Sequence, residues 1–262
     1  MHNQITFTLR ALLLFLITIS CHLNWQRANL PELELLATHD IDLPEPSGLF
    51  RHPYTGNLWT VSDNNGDLYE ISPEGKELQR LKTGVDDAEG VCFHPEGEGF
   101  IIADEASSEL VYYDIRGDKE NTISLGNIAG LSPKHGLEGL CYVSTTHTYA
   151  ALAEKYPGML LEFSGDAHQI KTTHLDFAAD YSGIAFDSQH EAFWIVSDES
   201  ATVTLYHPKD GVIDQYKVPA QKAEGIAINS KNNLLYLVYD NTSILQVFKL
   251  PQIDKSVKNQ ND

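Results

Sequence analysis

Short apolar runs separated by turn-forming residues fill most of the chain. From Ser47 onward, such runs are interrupted by His52–Gly56, Asn64–Asp67 and Ser72–Gly75. Runs of about 4–8 residues rich in β-branched and aromatic side chains, bounded by Gly, Asn and Pro, are typical of strands joined by tight turns. The stretch from Ser47 to Leu81 therefore predicts four antiparallel strands that form one small sheet.

The same pattern recurs along the chain, and each copy begins with a cassette of Ser or Glu, then Gly, then an aliphatic residue. The copies are Ser47-Gly48-Leu49, Glu89-Gly90-Val91, Glu138-Gly139-Leu140, Ser182-Gly183-Ile184 and Glu224-Gly225-Ile226. Successive cassette glycines lie 42, 49, 44 and 42 residues apart. Four short strands per repeat at this period are typical of β-propellers, with one repeat per blade. We therefore predict an all-β, five-bladed β-propeller over residues 33–250.

The two ends of the predicted propeller complement each other. The fifth repeat offers no good fourth strand, because a polar C-terminal tail, residues 251–262, follows Leu250. Upstream of the first cassette, Leu33–Leu43 has the composition of a strand with no partner of its own. We predict that this N-terminal strand completes the last blade, which closes the ring and removes exposed sheet edges.

The charge of the chain excludes some partners. Its 262 residues carry a net charge of −19, and 42% of them are hydrophobic, enough for the core of one domain. A strongly acidic surface repels phosphate backbones and anionic headgroups. We expect a monomer that has no nucleic-acid partner and contacts a membrane only through its N-terminus.

The N-terminus has the features of an export signal. Arg10 precedes an apolar run, Ala11–Ile19, that is too short to span a bilayer comfortably. The following Ser20-Cys21 resembles a bacterial lipobox. We therefore predict a signal peptide or membrane anchor at residues 1–21 and a linker at 22–32. Three alternatives are open: a lipoprotein attached through Cys21, a cleaved soluble protein, or an uncleaved anchor. Each places the propeller outside the cytoplasm. We expect an anchored protein at the cell envelope, with the propeller on the periplasmic or extracellular side.

Carboxylates recur by a common rule. Each cassette glycine is followed 14 or 15 residues later by an acid, namely Asp63, Asp104, Glu154, Asp198 and Asp240. The cassette begins the inner strand of a blade and the acid ends the neighbouring antiparallel strand, so both lie on one face of the propeller. We predict that three cassette acids surround one mouth of the central channel, with the other five one strand further out. The three are Glu89, Glu138 and Glu224.

Crowded carboxylates need compensation, and two solutions are open. At 6–7 Å and an effective dielectric near 20, each ionised pair costs roughly 2.5 kcal/mol. The acids could take up protons, cap backbone groups or pair with nearby basic residues, which are Lys134, His135, Lys155 and Lys222. Alternatively, all eight acids are candidate ligands of Ca²⁺, which accepts six to eight oxygens in flexible geometry. The lack of suitably spaced His and thiolate ligands disfavours zinc.

Four other residues have a structural interpretation. Cys92 and Cys141 each lie two residues after a cassette glycine, which predicts small buried thiols on neighbouring inner strands, with a disulfide or a reactive thiol as the alternatives. Trp59 and Trp194 each lie four residues before a repeated acid. Their repeated position predicts packing between blades.

Several motifs together carry a family resemblance. They are Pro46-Ser47-Gly48-Leu49 with Val61-Ser62-Asp63-Asn64-Asn65, Asp86-Asp87-Ala88-Glu89-Gly90-Val91 with Ile102-Ala103-Asp104-Glu105, Leu137-Glu138-Gly139-Leu140, and Ala223-Glu224-Gly225-Ile226. With these motifs the chain resembles the bacterial YjiK-like, SdiA-regulated family, which is related to NHL-type propellers. The resemblance implies a five-bladed ring with a calcium site, often behind an N-terminal membrane anchor, and supplies no substrate.

Two functions are compatible with these features. The first is a binding or scaffold module at the cell envelope, stabilised by calcium, with a small-molecule or protein ligand at the channel face. The second is a calcium-dependent hydrolase of esters, lactones or phosphoesters, with His135 or one acid of the ring as general base. It rests on a distant likeness to calcium-dependent lactonase and arylesterase propellers of six blades. The sequence has no GxSxG, HExxH or phosphate-loop motif, which favours the binding module.

Overall fold

The computed structural model describes residues 29–95, 98–125, 136–154, 158–166, 168–219 and 222–253. The predicted export signal with Cys21, the basic residues Lys134, His135 and Lys155, and most of the C-terminal tail lie outside the described residues. Their proposed roles stay predictions.

Short strands make up nearly all the regular structure in the described part of the chain. In chain order they are β1 at Leu35–Asp40; β2 to β5 at Pro46–Arg51, Leu58–Ser62, Leu68–Ile71 and Glu77–Leu81; β6 to β9 at Ala88–His94, Gly99–Asp104, Glu109–Asp114 and Lys119–Ser124; β10 to β13 at Leu137–Val143, Thr148–Ala153, Gly158–Phe163 and Gln169–Leu175; β14 to β17 at Gly183–Asp187, Ala192–Ser197, Thr202–His207 and Gly211–Lys217; and β18 to β20 at Ala223–Asn229, Leu234–Tyr239 and Ile244–Lys249. One 3₁₀ turn, Asp240–Thr242, precedes β20.

The strands pair into five antiparallel sheets of four, each beginning with a cassette strand on the inside. The inner strands β2, β6, β10, β14 and β18 contact one another in sequence, and β18 contacts β2 again. The chain is therefore a five-bladed β-propeller, as predicted.

The ring closes through the N-terminal strand. β1 pairs antiparallel with β20, with Thr38 opposite Gln246, and so forms the outer strand of the last blade. The segment before β1 also binds the fourth blade, because Leu33 donates its backbone N–H to the Lys217 carbonyl at 3.2 Å. The predicted closure by the N-terminal strand is confirmed.

The cassette glycines are required by the close approach of the inner strands. A Cβ atom on Gly183 would lie 2.5 Å from the Glu224 carbonyl oxygen, and one on Gly48 would lie 2.6 Å from that of Glu89. Similar backbone clashes would arise at Gly90, Gly139 and Gly225. Only glycine lets neighbouring backbones pack this closely around the axis.

Each pair of adjacent blades has its own apolar core. Trp59 packs with Phe100 between the first two blades, with ring centroids 4.6 Å apart, and Trp194 lies in the core between the fourth and fifth. Cys92 on β6 and Cys141 on β10 are buried free thiols. The structural interpretation of all four residues is confirmed.

Candidate functional site

An acidic cavity of about 240 Å³ lies where the starts of the five inner strands converge. Its lining residues come from every blade; they are Glu45, Ser47, Asp63, Glu89, Glu105, Glu138, Glu154, Asp180, Ser182, Asp198, Lys222, Glu224 and Asp240. Among these described residues, all but two serines and one lysine are carboxylates, and no histidine is present.

Seven of the eight candidate ligands line this acidic cavity, and Asp104 does not. In the second blade Asp104 is still part of the β-ladder, opposite Ala88, and Glu105 follows the strand. In the third blade Ala153 takes the ladder position, opposite Leu137, and Glu154 follows. Glu105 is therefore the equivalent residue, and it lies 15 residues after its cassette glycine, as the acids of the other blades do.

A second set of cavity residues precedes the cassettes. Glu45, Asp87, Asp180 and Lys222 each lie two residues before the first cassette residue. Of these, Glu45, Asp180 and Lys222 line the cavity, and Asp87 lies beside Asp63 and Glu89. Sequence reasoning missed the three acids, although their shared offset from the cassette was a usable signal.

β-Bulges direct the cassette acids toward the axis. The register shifts at the cassette in four blades, between Ser47 and Leu49 in the first and between Ala88 and Gly90 in the second. A bulge adds one residue to a strand and turns a side chain away from the regular alternation. In the second, third and fifth blades the shift leaves the cassette glutamate out of the ladder, beside the cavity that it lines. In the first blade Ser47 stays opposite Val61, and Gly48 is the extra residue.

Glu138 is the most buried of the three cassette acids, with 7% of its surface exposed. Burial raises its pKa well above the ordinary value, and the carboxylates of Glu89, Glu105, Glu154 and Glu224 raise it further. Carboxylate oxygens of Glu105, Glu138 and Glu154 lie within 4.8 Å of one another. We call these three residues the Glu138 triad.

Asp63, Asp87 and Glu89 form a second group with oxygens within 4.8 Å of one another, the Glu89 triad. Burial raises the pKa of Glu89 to about 8, although Ser47 Oγ donates a hydrogen bond to Glu89 Oε2 at 2.6 Å. Burial, followed by the Asp87 carboxylate, raises the pKa of Asp63 to about 6. Both acids are thus held partly protonated near neutral pH.

Lys222 compensates one side of the cavity. Its Nζ lies 3.5 Å from Glu224 Oε1 and forms an ion pair with Asp240. Burial still raises the pKa of Glu224 to about 7, with Lys222 opposing the shift. Among the described residues, Lys222 therefore relieves the fifth blade most and Asp63 slightly, and the Glu138 triad has no cationic partner.

Asp180 has a structural role at the cavity edge. It accepts a hydrogen bond from Ser197 Oγ and another from the Glu199 backbone N–H at 3.0 Å. These contacts fix the loop before the fourth inner strand, so Asp180 is a weaker ligand candidate than the triad acids.

The chemistry of the donors fits a hard cation. Both triads consist only of carboxylates, the oxygen ligands that Ca²⁺ prefers, and neither includes the His or Cys that favours zinc. Each triad offers three carboxylates, and a carboxylate can bind Ca²⁺ through one or both of its oxygens. Calcium binding by these residues stays a prediction.

One family model matches most of the chain. A family model described as SdiA-regulated matches residues 36–243. None of the curated proteins has a matching sequence.

Among the described residues, no helix has the length and apolar character needed to cross a membrane.

Several solved structures have similar backbones. The glutaminyl cyclase of Myxococcus xanthus has a TM-score of 0.66 at 14% identity, covering 84% of this chain and 100% of that one. A nidogen/laminin complex gives 0.56 at 12% identity, covering 78% and 76%. The Cps50 (Swd1) propeller domain of Myceliophteria thermophila gives 0.50 at 11% identity, covering 86% and 71%. At these identities the likeness shows the fold alone.

Proposed function

Given that the chain belongs to the SdiA-regulated family, we propose that its propeller binds Ca²⁺ in the acidic cavity and acts as a calcium-stabilised binding module. The observation that carries this proposal is Glu138, which is almost fully buried and surrounded by other carboxylates. A buried acid with acidic neighbours must be protonated or bind a cation. The Glu138 triad would hold the ion, which would also offset the negative charge of Glu89 that acts on Glu138.

The bound ion would stabilise the ring. Ligands from the second and third blades meet in the Glu138 triad, so one ion would link two neighbouring blades whose acids otherwise repel each other. The ion neutralises charge that the cavity cannot disperse into water. A small-molecule or protein ligand would then bind at the channel face.

Calcium binding is tested by thermal unfolding and calorimetric titration of the full-length protein, stripped with EDTA at pH 7.5. At a hundredfold excess of Ca²⁺ over its Kd, we expect about 2.7 kcal/mol of stabilisation, which raises the Tm by about 5–10 °C. KCl at the same ionic strength is the control, because screening alone also stabilises a chain of net charge −19. Equal effects of CaCl₂ and KCl would contradict the proposal.

Hydrolysis assays in the same buffers separate a binding module from an enzyme. We expect no calcium-dependent turnover of nitrophenyl esters, lactones or phosphoesters. Turnover that disappears both with EDTA and in Glu138→Gln would replace the binding module with a hydrolase.

We also propose that the propeller is anchored at the cell envelope through Cys21, on the basis of the lipobox-like Ser20-Cys21 after an apolar run. In a bacterial host, the wild-type protein should incorporate labelled palmitate and sediment with membranes. Cys21→Ser should lose the label and leave the membrane fraction, whereas Cys92→Ser, which alters a buried thiol, should not. An unlabelled wild-type protein would exclude lipidation.

A further inference from the structure

A second cavity, of about 490 Å³, lies between the first and second blades, at the loop that joins β2 to β3 and at Pro95 and Glu98, which follow β6. Because these residues follow the ends of the inner strands, they lie on the face opposite the acidic cavity. We call this cavity the interblade cleft. Its volume falls within the range of small-molecule sites, about 300–1,000 Å³.

Trp59 lines the cleft and carries a hydrogen-bond donor without an acceptor. The side chain is only 3% exposed, and its Nε1–H is buried and unpaired. A buried donor without a partner is costly, and tryptophan N–H groups usually find one. The missing acceptor therefore needs an explanation.

The other blades show what is missing. Trp194 occupies the same position in the fourth blade, and its Nε1–H donates to Asp187 Oδ2 at 3.2 Å. In the fifth blade, Tyr236 shares a hydrogen bond with Asn229. Asp187 and Asn229 each lie four residues after the cassette glycine, where the first blade has His52. The first blade alone among these three thus has the donor without its partner.

His52 does not serve as the acceptor. Its Nδ1 accepts the backbone N–H groups of Tyr54 and Thr55, each at 3.3 Å. Burial lowers the pKa of the ring, with Glu70 opposing the shift, which favours the neutral form. Because Nδ1 is the acceptor, the neutral ring carries its proton on Nε2. His52, which also lines the cleft, adds a second donor rather than an acceptor.

Aromatic rings and acceptors complete the lining. Tyr54 is 81% exposed, and its ring meets the edges of Phe93 and His52 at centroid distances of 6.0 and 5.8 Å. Glu70 and Gln79, which are opposite each other on β4 and β5, supply a carboxylate and an amide. The cleft thus combines ring faces, N–H donors and oxygen acceptors.

We propose that the interblade cleft binds a neutral saccharide, whose ring packs on Tyr54 and one of whose oxygens accepts the Trp59 N–H. Sugar hydroxyls both donate and accept, so one ligand can satisfy the donors of Trp59 and His52 and the acceptor Glu70. A simple cation would leave both N–H groups unpaired. An anion would meet Glu70, and an apolar ligand would satisfy none of these groups.

The test titrates the full-length protein with glucose, galactose, mannose, N-acetylglucosamine, maltose and cellobiose, with choline as the cationic comparison, by calorimetry and ligand-observed NMR. We expect at least one saccharide to bind with a Kd in the millimolar range or below, equally with calcium and with EDTA, because the cleft and the acidic cavity lie on opposite faces. Choline should not bind there.

Two variants locate the site. Trp59→Phe removes the unpaired N–H, and Tyr54→Ala removes an exposed ring that the fold does not need; each should weaken saccharide binding at least tenfold. Trp194→Phe is the matched control, because its N–H is already bonded to Asp187, and it should bind as the wild type does. Should Trp59→Phe fail to fold, Tyr54→Ala decides the question. The proposal is overturned if none of the saccharides binds, if choline binds instead, or if Tyr54→Ala binds normally.

Discussion

The Glu138→Gln protein is expected to unfold at a higher temperature than the wild type when calcium is absent, and to gain little when calcium is added. In the calcium-free native state, Glu138 must either stay protonated or carry a negative charge. Burial and four neighbouring carboxylates oppose that charge. Glutamine has the same shape without that requirement, so the variant avoids the cost. Because about 1 kcal/mol shifts the Tm of a domain this size by about 2–4 °C, we expect a rise of several degrees at pH 7.5. Differential scanning calorimetry with EDTA and with CaCl₂ measures both effects.

Two matched variants show whether the effect comes from the position of the charge. Glu120→Gln removes a carboxylate from the exposed outer strand β9 and should change neither the Tm nor the calcium response. Glu224→Gln removes a cavity acid that Lys222 already compensates, so its calcium-free gain should be smaller than that of Glu138→Gln. A lower calcium-free Tm for Glu138→Gln would mean that the carboxylate is stabilising without a metal.

The variants also distinguish the two triads. Asp87→Asn alters the Glu89 triad and leaves all three residues of the Glu138 triad intact. If the Glu138 triad holds the ion, Asp87→Asn should retain most of the calcium affinity, whereas Glu138→Gln should lose at least tenfold. If Asp87→Asn loses more calcium affinity than Glu138→Gln, the ion binds at the Glu89 triad instead.

The repeat made the fold predictable from the sequence. Five cassettes at near-constant spacing indicated the number of blades, and the unpaired Leu33–Leu43 segment indicated how the ring closes. The function of the cassette glycine was not predictable in the same way. Glycine is required there because the backbones of neighbouring blades lie very close together, as at Gly183 and Glu224. The sequence of one repeat does not show this distance between blades.

The acidic cavity was predictable except where local register decided the outcome. Allowing 14 or 15 residues after the glycine admitted Asp104, whereas the β-ladder places Glu105 at the cavity. The surroundings of each acid could not be predicted from its position in the repeat. Glu138 and Glu224 occupy identical cassette positions, yet of these two acids Lys222 forms an ion pair with Glu224. Which acid most needs a cation therefore depends on three-dimensional neighbours.

The interblade cleft shows a different limit. His52, Asp187 and Asn229 share one repeat position, but only the structure shows that Asp187 accepts from a tryptophan and that His52 does not. The replacement of an acceptor by His52 in the first repeat becomes informative only when the structure shows which hydrogen bond it removes.

The stability of the calcium-free protein should fall as the pH rises from 5 to 8. The raised pKa values of Glu89, about 8, and Glu224, about 7, mean that the native state holds protons that the unfolded chain has already released. The free energy of unfolding therefore decreases with pH from the ordinary carboxyl pKa up to the folded value. A pKa difference of one corresponds to about 1.4 kcal/mol, so the loss should reach several kcal/mol and lower the Tm by about 10 °C or more.

Calcium should remove most of this pH dependence. Ca²⁺ binds ionised carboxylates and competes with protons, so its stabilising effect should be small at pH 5 and largest near pH 8. Thermal melts at half-unit pH intervals, with EDTA and with saturating CaCl₂, should therefore give two curves that meet at low pH and diverge above pH 6. Glu138→Gln should flatten the EDTA curve, since one of the groups that take up protons is gone. A calcium-free Tm that is constant or rises between pH 5 and 8 would show that the cavity acids are ionised at no cost, and the main reason for a cation there would disappear.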